Sequence, residues 1–329
     1  MDQHPPSTPS NAAPSAPSNT PPNAPLSAAS LTPLLQALAR QHNPVAALYV
    51  VATPIGNVCD ISLRALSILQ LADAVAAEDT RVAGGLLTRY GLHKPLLACD
   101  AHRESAAVEP VLARLAKGER VALVTDAGTP AVSDPGAHLV AAVRAAGYTV
   151  VPVPGASSVA AAVSASGLVA GSFTFFGFLP NKGAARTEVL QAITASPHAA
   201  VFFEAPHRIA DCLAWLAQNE SDRPLTIARE LTKQFEEITT LPCADAPAWL
   251  TASAHRGKGE FVLILAPQEQ GERNIHAGFQ AKMAGDALLS RVLPFMPMKE
   301  AVKLVVDATG EPRNAVYEKA LALRAQPDE

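Results

Sequence analysis

From Leu48 onward the chain alternates two kinds of segment. Short apolar runs read as buried strands: "LYVVA", "AVAAE", "VALVTD", "TVVPV", "FTFFGF", "AAVFFE", "LTIA" and "FVLILA". Between several of them lie longer Ala/Leu/Val stretches with helical spacing, such as Ile61 to Leu71, Val108 to Ala116, Ala137 to Ala146 and Ser157 to Ser166. Strands buried on both faces and alternating with helices indicate an α/β protein with mainly parallel sheets. Asp134 followed by Pro135 reads as a helix N-cap with proline at the first helical position, and Gly147 as that helix's stop. Asp60 and Ser157 are similar cap candidates.

The pattern also sets an organisation. Residues 1–45 lack any such rhythm: "HPPSTPSNAAPSAPSNTPPNAP" is nearly uncharged and has no large apolar group. Such a segment buries too little surface to offset its ordering entropy, so a disordered tail is expected. Two α/β domains are expected over 46–156 and 157–268, with the break near the small-residue stretch "GLVAGS". Residues 270–278 read as a linker. A small helical extension over 279–325 completes the pattern, with "MKEAVKLVVDATG" and "PRNAVYEKALAL" as two amphipathic helices.

Composition removes several classes of function. The 329 residues are 49% hydrophobic, enough for one or two real cores, yet no apolar run approaches a membrane span. The four Cys are dispersed, which argues against a zinc ribbon or a disulfide framework and suits a reducing cytoplasm. A net charge of -4 gives no global pull toward nucleic acid, although a basic face would suffice. No P-loop, dinucleotide fingerprint, H-E-x-x-H or G-x-S-x-G motif is present, and no metal is expected.

The loops after the strands carry the chemistry. In open α/β sheets ligands bind beyond the carboxyl ends of the strands. Six such ends are polar or rich in Gly and Pro: "TPIGN", "DTR", "DAGTPAVSDPG", "PGASS", "APHR" and "RELTK". Gly and Pro remove bulk and fix the backbone, so N–H and C=O groups can face a ligand. Titratable candidates on or near these loops are Asp79, Arg81, His102, Asp126, Glu204, Arg208, Glu230 and Lys233. His207 reads as a helix-start or surface residue. Lys182, Arg186, Arg208, Arg229, Lys233, Arg256 and Lys258 are candidates for a basic rim facing phosphates.

Taken in order, "TPIGN", "AEDTR", "DAGTPAVSDPG", "PVPGASSVAAAVSASGL", "FLPNKGAAR", "FFEAPHR" and "ARELTK" resemble the tetrapyrrole-methylase-like class of S-adenosylmethionine methyltransferases. Within it they are similar to a branch that methylates a cytidine ribose 2'-hydroxyl in 16S rRNA. The likeness spans roughly residues 48 to 266 and extends to the C-terminal helices. It implies two α/β domains with S-adenosylmethionine between them, a homodimer, a cytoplasmic location, and 16S rRNA or the small ribosomal subunit as partner. It places the cofactor against Pro54, Asp126, Ala127, Gly128, Thr129, Val132, Ser157, Ser158, Glu204 and Leu231. A ribose hydroxyl is a poor nucleophile, so a base or a nearby cation is expected from Asp79, Arg81, His102, Arg208 or Lys233. "CDAHRE", Cys99 to Glu104, departs from the branch's pattern and could face substrate. Two alternatives stand beside this reading: a small-molecule methyltransferase acting on a tetrapyrrole, and a non-catalytic ribosome-assembly factor.

Overall fold

The computed structural model describes residues 27–101, 103–268, 285–293, 295–309 and 311–324. His102, most of the expected tail and the expected linker lie outside the described residues. The chain divides at Pro44 and Val45 into two units. In the first, inside the segment expected to be disordered, Ala28–Ala39 forms helix α1 with no buried residue. Ser27 caps it by accepting a hydrogen bond from the Ser30 N–H.

In the second unit, strands β1 (Ala47–Val51), β2 (Ala74–Ala77), β3 (Leu96–Ala98), β4 (Arg120–Val124) and β5 (Thr149–Val153) form one sheet in the order β3-β2-β4-β1-β5. Every pairing in it is parallel, as expected. Helices α2 (Leu63–Leu71) and α3 (Thr80–Arg89) cover one face, packing Ile68, Leu69 and Leu87 against Tyr49, Val51 and Val75. Helices α4 (Glu104–Leu115) and α5 (Ala137–Ala145) cover the other, packing Val111, Leu115, Leu139 and Val143 against Leu48 and Leu123. The adjacent residues Leu48 and Tyr49 thus face opposite layers, as strand alternation requires.

Helix α6 (Ser158–Ser166) leads into a second sheet, with α7 (Ala184–Thr194), α8 (Ile209–Asn219) and α9 (Ala246–Thr251) between its strands. Its strands are β6 (Phe173–Phe178), β7 (Ala199–Glu204), β8 (Pro224–Arg229), β9 (Glu237–Pro242) and β10 (Phe261–Leu265), in the order β6-β7-β10-β8-β9. This sheet is mixed. Only β6 and β7 pair in parallel, and β10 runs antiparallel to both β7 and β8. β10 is buried along its whole length, so its apolar run gives no sign of its direction. The pattern also missed β9, an edge strand of alternating half-buried and exposed residues, and the three-residue β3.

Two cap expectations are corrected. Helix α2 is capped by Ser62, whose side chain accepts from Ala65 N–H, and Asp60 lies in the preceding 3-10 turn. Helix α5 has Gly136 at its N-cap, with no side-chain bond from that position. Asp134 does not cap it. The acceptor comes from α4: Glu104 Oε1 lies 3.0 Å from both Gly136 N and Leu139 N. Ser157 caps α6 as expected, accepting from Ala160 N–H.

Among the described residues the C-terminal extension forms three helices, one more than the pattern suggested: α10 (Gly285–Val292), α11 (Met298–Thr309) and α12 (Arg313–Arg324). They close around Leu289, Ala301, Val302, Val305, Val316 and Ala320. Among the described residues no helix is long and apolar enough to cross a membrane.

Candidate functional site

A cleft of about 340 Å³ opens where the loops of the first sheet meet the end of the second. The first sheet contributes Ile55, the run Ala127–Thr129, Val132, Asp134 and Ser157–Val159. The second contributes Phe178, Phe203–Pro206, Ala228, Leu231 and Glu260–Val262. Five of the six Gly/Pro-rich or polar strand ends therefore supply residues, and "DTR" does not. Of the ten expected cofactor residues, eight line the cleft: Ala127, Gly128, Thr129, Val132, Ser157, Ser158, Glu204 and Leu231. Pro54 is buried, one residue before Ile55, and exposed Asp126 precedes Ala127; neither is in the lining.

The loops are locked by backbone bonds. Thr53 and Gly128 exchange N–H···O bonds of 2.8 and 3.0 Å, and Thr53 Oγ1 donates to the Thr125 carbonyl. Gly128 has φ +84, a region that costs glycine nothing and most residues about 1–2 kcal/mol. Thr129 Oγ1 donates to the Ala156 carbonyl at 3.0 Å, tying the loop after β4 to the loop after β5. Asn57 N–H donates to Thr232 Oγ1 at 3.0 Å, tying the loop after β1 to the one after β8.

The charged candidates resolve into distinct roles. Glu204 is buried and holds Arg186 Nη2 at 2.7 Å and Arg208 Nε at 2.8 Å. Arg208 Nε has no well-aligned hydrogen bond, while its Nη1 donates to the Leu179 carbonyl and to Asn181 Oδ1. Both arginines are thus committed to shaping the end of β7. Burial acts to lower the Lys233 pKa, but hydrogen bonds to Glu260 and Glu230 outweigh it and raise the pKa. A lysine held cationic in this way does not serve as a base near neutrality. Asp79 caps α3 and grips the highly exposed Arg81, whose hydrogen bonds hold the Asp79 carboxyl down to about 2. Neither lines the cleft. Asp126 accepts from Asp79 N–H, and its own N–H donates to Glu78.

The expected basic rim is mostly used up within the fold. Arg229 donates to the carbonyls of Lys258, Phe235 and His255, and Arg256 pairs with Glu237. Lys182 and Lys258 remain exposed.

The sequence pattern missed one carboxylate that matters. Asp134 lines the cleft and has no ion-pair partner among the described residues. Burial, then the charge of Glu78, push its pKa up to about 6, against a lowering contribution from Thr125. Asp134-Pro135 imitates a helix cap, which hid it. Phe178, Phe203, Glu260, Phe261 and Val262 were also missed. The last three lie at the amino end of β10, and only an antiparallel strand brings that end to this edge.

Chemically, the cleft offers backbone amides and small hydroxyls from one side, an apolar floor of Ala228, Phe261 and Val262, and carboxylates at Asp134 and Glu260. That set suits an uncharged aromatic group joined to a cationic one better than a polyphosphate.

Comparison with known proteins agrees with this layout. The family model described as Tetrapyrrole (Corrin/Porphyrin) Methylases matches residues 47–247. A second, the RsmI C-terminal HTH domain, matches residues 281–324. The protein named "Ribosomal RNA small subunit methyltransferase I" of Pseudomonas aeruginosa is 43% identical over 275 residues, covering 83% of this chain and 96% of its own. The chain belongs to the ribosomal RNA small subunit methyltransferase I family of tetrapyrrole methylases. The family's protein of the same name from Xylella fastidiosa is 44% identical, covering 82% and 97% of the two chains. Among solved structures, the methyltransferase CobJ superposes with a TM-score of 0.51 at 20% identity, covering 67% of this chain and 93% of its own. Diphthine synthase gives 0.51 at 16% identity, covering 70% and 95%. These two likenesses establish the family's fold.

Proposed function

We propose that this protein uses S-adenosylmethionine to methylate the 2'-hydroxyl of a cytidine ribose in 16S rRNA. The observation that carries the reading is the 43% identity, along nearly the whole of the relative and 83% of this chain, to a protein named for methylating small-subunit ribosomal RNA. The match of the C-terminal helices to a domain particular to that family supports RNA over a tetrapyrrole as substrate. A homodimer acting in the cytoplasm on the rRNA or the small subunit belongs to the same reading.

The residues present fit the donor. Ala127–Thr129 and Ser157–Ser158 give backbone and hydroxyl partners, the apolar floor accepts a flat ring, and nearby carboxylates favour a cation. Bound S-adenosylmethionine supplies an electrophilic methyl group on a sulfonium. The chain's part is to hold the ribose hydroxyl in line with that group and to exclude water. Asp134 takes the hydroxyl proton. It is the cleft carboxylate free of ion pairs among the described residues, whereas Glu204 is held by two arginines and Glu260 by Lys233. Arg208 and Lys233 orient their neighbours, and Asp79 and Arg81 fix the start of α3.

Incubation with labelled S-adenosylmethionine and either 30S subunits or free 16S rRNA, both lacking the modification, tests the reading. Label on one cytidine ribose supports it. Label on a porphyrinogen and none on RNA would replace it with the tetrapyrrole alternative. Failure to bind S-adenosylmethionine would favour the assembly-factor alternative.

A further inference from the structure

Strand β6 lies at the edge of the second sheet and reads Phe-Thr-Phe-Phe-Gly-Phe. Phe175 packs with Phe203 on the face shared with α6, while Phe176 packs on the opposite face with Leu190 and Leu213. Strict alternation would then send Phe178 to the Phe176 face. It does not go there. The register against β7 shifts between Phe175 and Phe178, and Phe178 meets Phe203 with ring centroids 5.0 Å apart. Leu179 lies next on the Phe176 side, so alternation resumes after one inserted residue. That residue is Gly177, with φ +68. A Cβ there would come 2.8 Å from Ser133 Oγ, so the loop after β4 presses directly on the bulge. Ser133 and Ala131 themselves hold φ +64 and +66, a strained backbone for non-glycine residues.

This construction turns an aromatic ring out of the core and into the mouth of the cleft, where Phe178 is 54% exposed. The other two cleft rings are not available in this way. Phe203 is half-buried beneath its neighbours and Phe261 is 2% exposed. Phe178 and Asp134 line the same cleft, so the ring's open face is available to a ligand whose hydroxyl reaches Asp134. A nucleotide whose ribose hydroxyl reaches Asp134 carries its base on the adjacent ribose carbon. The base must leave its stack for the ribose to enter a cleft, and it loses stacking energy unless another flat surface replaces it.

We propose that Phe178 is the platform on which the unstacked base of the target nucleotide lies during methylation. The proposal rests on the RNA-methylation reading. Exposed Lys182, four residues along the chain, supplies charge for the adjoining phosphate.

The test uses the full-length protein, unmodified 30S subunits or 16S rRNA, and S-adenosylmethionine. Phe178→Ala should raise KM for RNA about tenfold or more while the donor Kd stays within about twofold. Phe178→Leu keeps apolar area without a π face and should remain impaired, whereas Phe178→Tyr should restore binding. In Phe178→Trp, the emission gained over that of the native Trp215 and Trp249 should be quenched by RNA and not by the donor alone. Weakened donor binding with unchanged KM for RNA would assign the ring to the donor and overturn the proposal. So would a Leu variant equal to wild type, or an Ala variant without effect. If the unaltered protein transfers no label to RNA, the underlying reading falls and the proposal with it. Transfer by the unaltered protein with an indifferent Phe178→Ala overturns the platform alone.

Discussion

Glu104 Oε1 lies 3.0 Å from the backbone nitrogen of Gly136, thirty-two residues away in sequence, and accepts its hydrogen bond. The same oxygen accepts from Leu139 N–H, so a side chain of one helix caps the next. The bond also anchors the end of the loop that runs from Asp126 past Asp134. Glu104→Ala should cost about 1–2 kcal/mol in urea denaturation, the value of a lost cap. It should also weaken S-adenosylmethionine binding in calorimetry, because the loop loses its downstream tether. Glu104→Gln, which keeps an acceptor, should retain most of both.

Arg186 and Arg208 flank a carboxylate with no solvent exposure. Arg186→Met removes one partner and leaves a buried charge undercompensated. A loss of about 3–5 kcal/mol is expected by denaturant titration. The double variant Arg186→Met with Glu204→Gln should recover part of that loss, since the uncompensated charge goes with it.

The Asp134 carboxyl is pushed up to about 6 by burial and by Glu78. As the proposed proton acceptor it works when ionised, so the rate should fall as pH drops through about 6. Asp134→Asn should abolish that limb and cut kcat about a hundredfold or more, a far larger effect than any loss of donor affinity from the missing charge. Stability moves the other way. A carboxyl whose folded pKa is raised binds more protons folded than unfolded, so its contribution declines as pH rises from the ordinary carboxylate range to about 6. Asp134→Asn should therefore gain stability relative to wild type at pH 8, and the gain should vanish at pH 4. Thermal melts at the two pH values decide this.

Lys233 stays protonated between Glu230 and Glu260. Lys233→Met should leave the acidic limb of the rate profile in place, because that limb belongs to Asp134. Disappearance of the limb in this variant would assign the proton transfer to the lysine network.

Gly177→Ala places a Cβ where φ is +68 and against Ser133 Oγ. A cost of about 1 kcal/mol or more in denaturation is expected. The larger signature should be functional: with the bulge displaced, KM for RNA should rise as it does in Phe178→Ala.

The sequence by itself determined four of the five strands of the first sheet, all but the three-residue β3, because they leave apolar runs and the helices between them leave a 3.6-residue period. It also determined the ligand edge. Ala127, Gly128, Thr129, Ser157 and Ser158 were legible as low-bulk loops after strands, and they line the cleft. Their resemblance to a known family reached Glu204 and Leu231, which line it as well. What only the tertiary structure decided depends on partners distant in sequence. β10 has the same apolar run in either direction, so its antiparallel insertion between β7 and β8, which brings Glu260 and Phe261 to the cleft, had no local signal. Asp134 has the local form of a cap, but Glu104 supplies that acceptor from another helix. Arg208 and Lys233 have the local form of free cations, but the fold sets carboxylates beside them. Phe178 has the local form of one more core residue of a strand, and only the bulge at Gly177, wedged against Ser133, turns its ring toward the site.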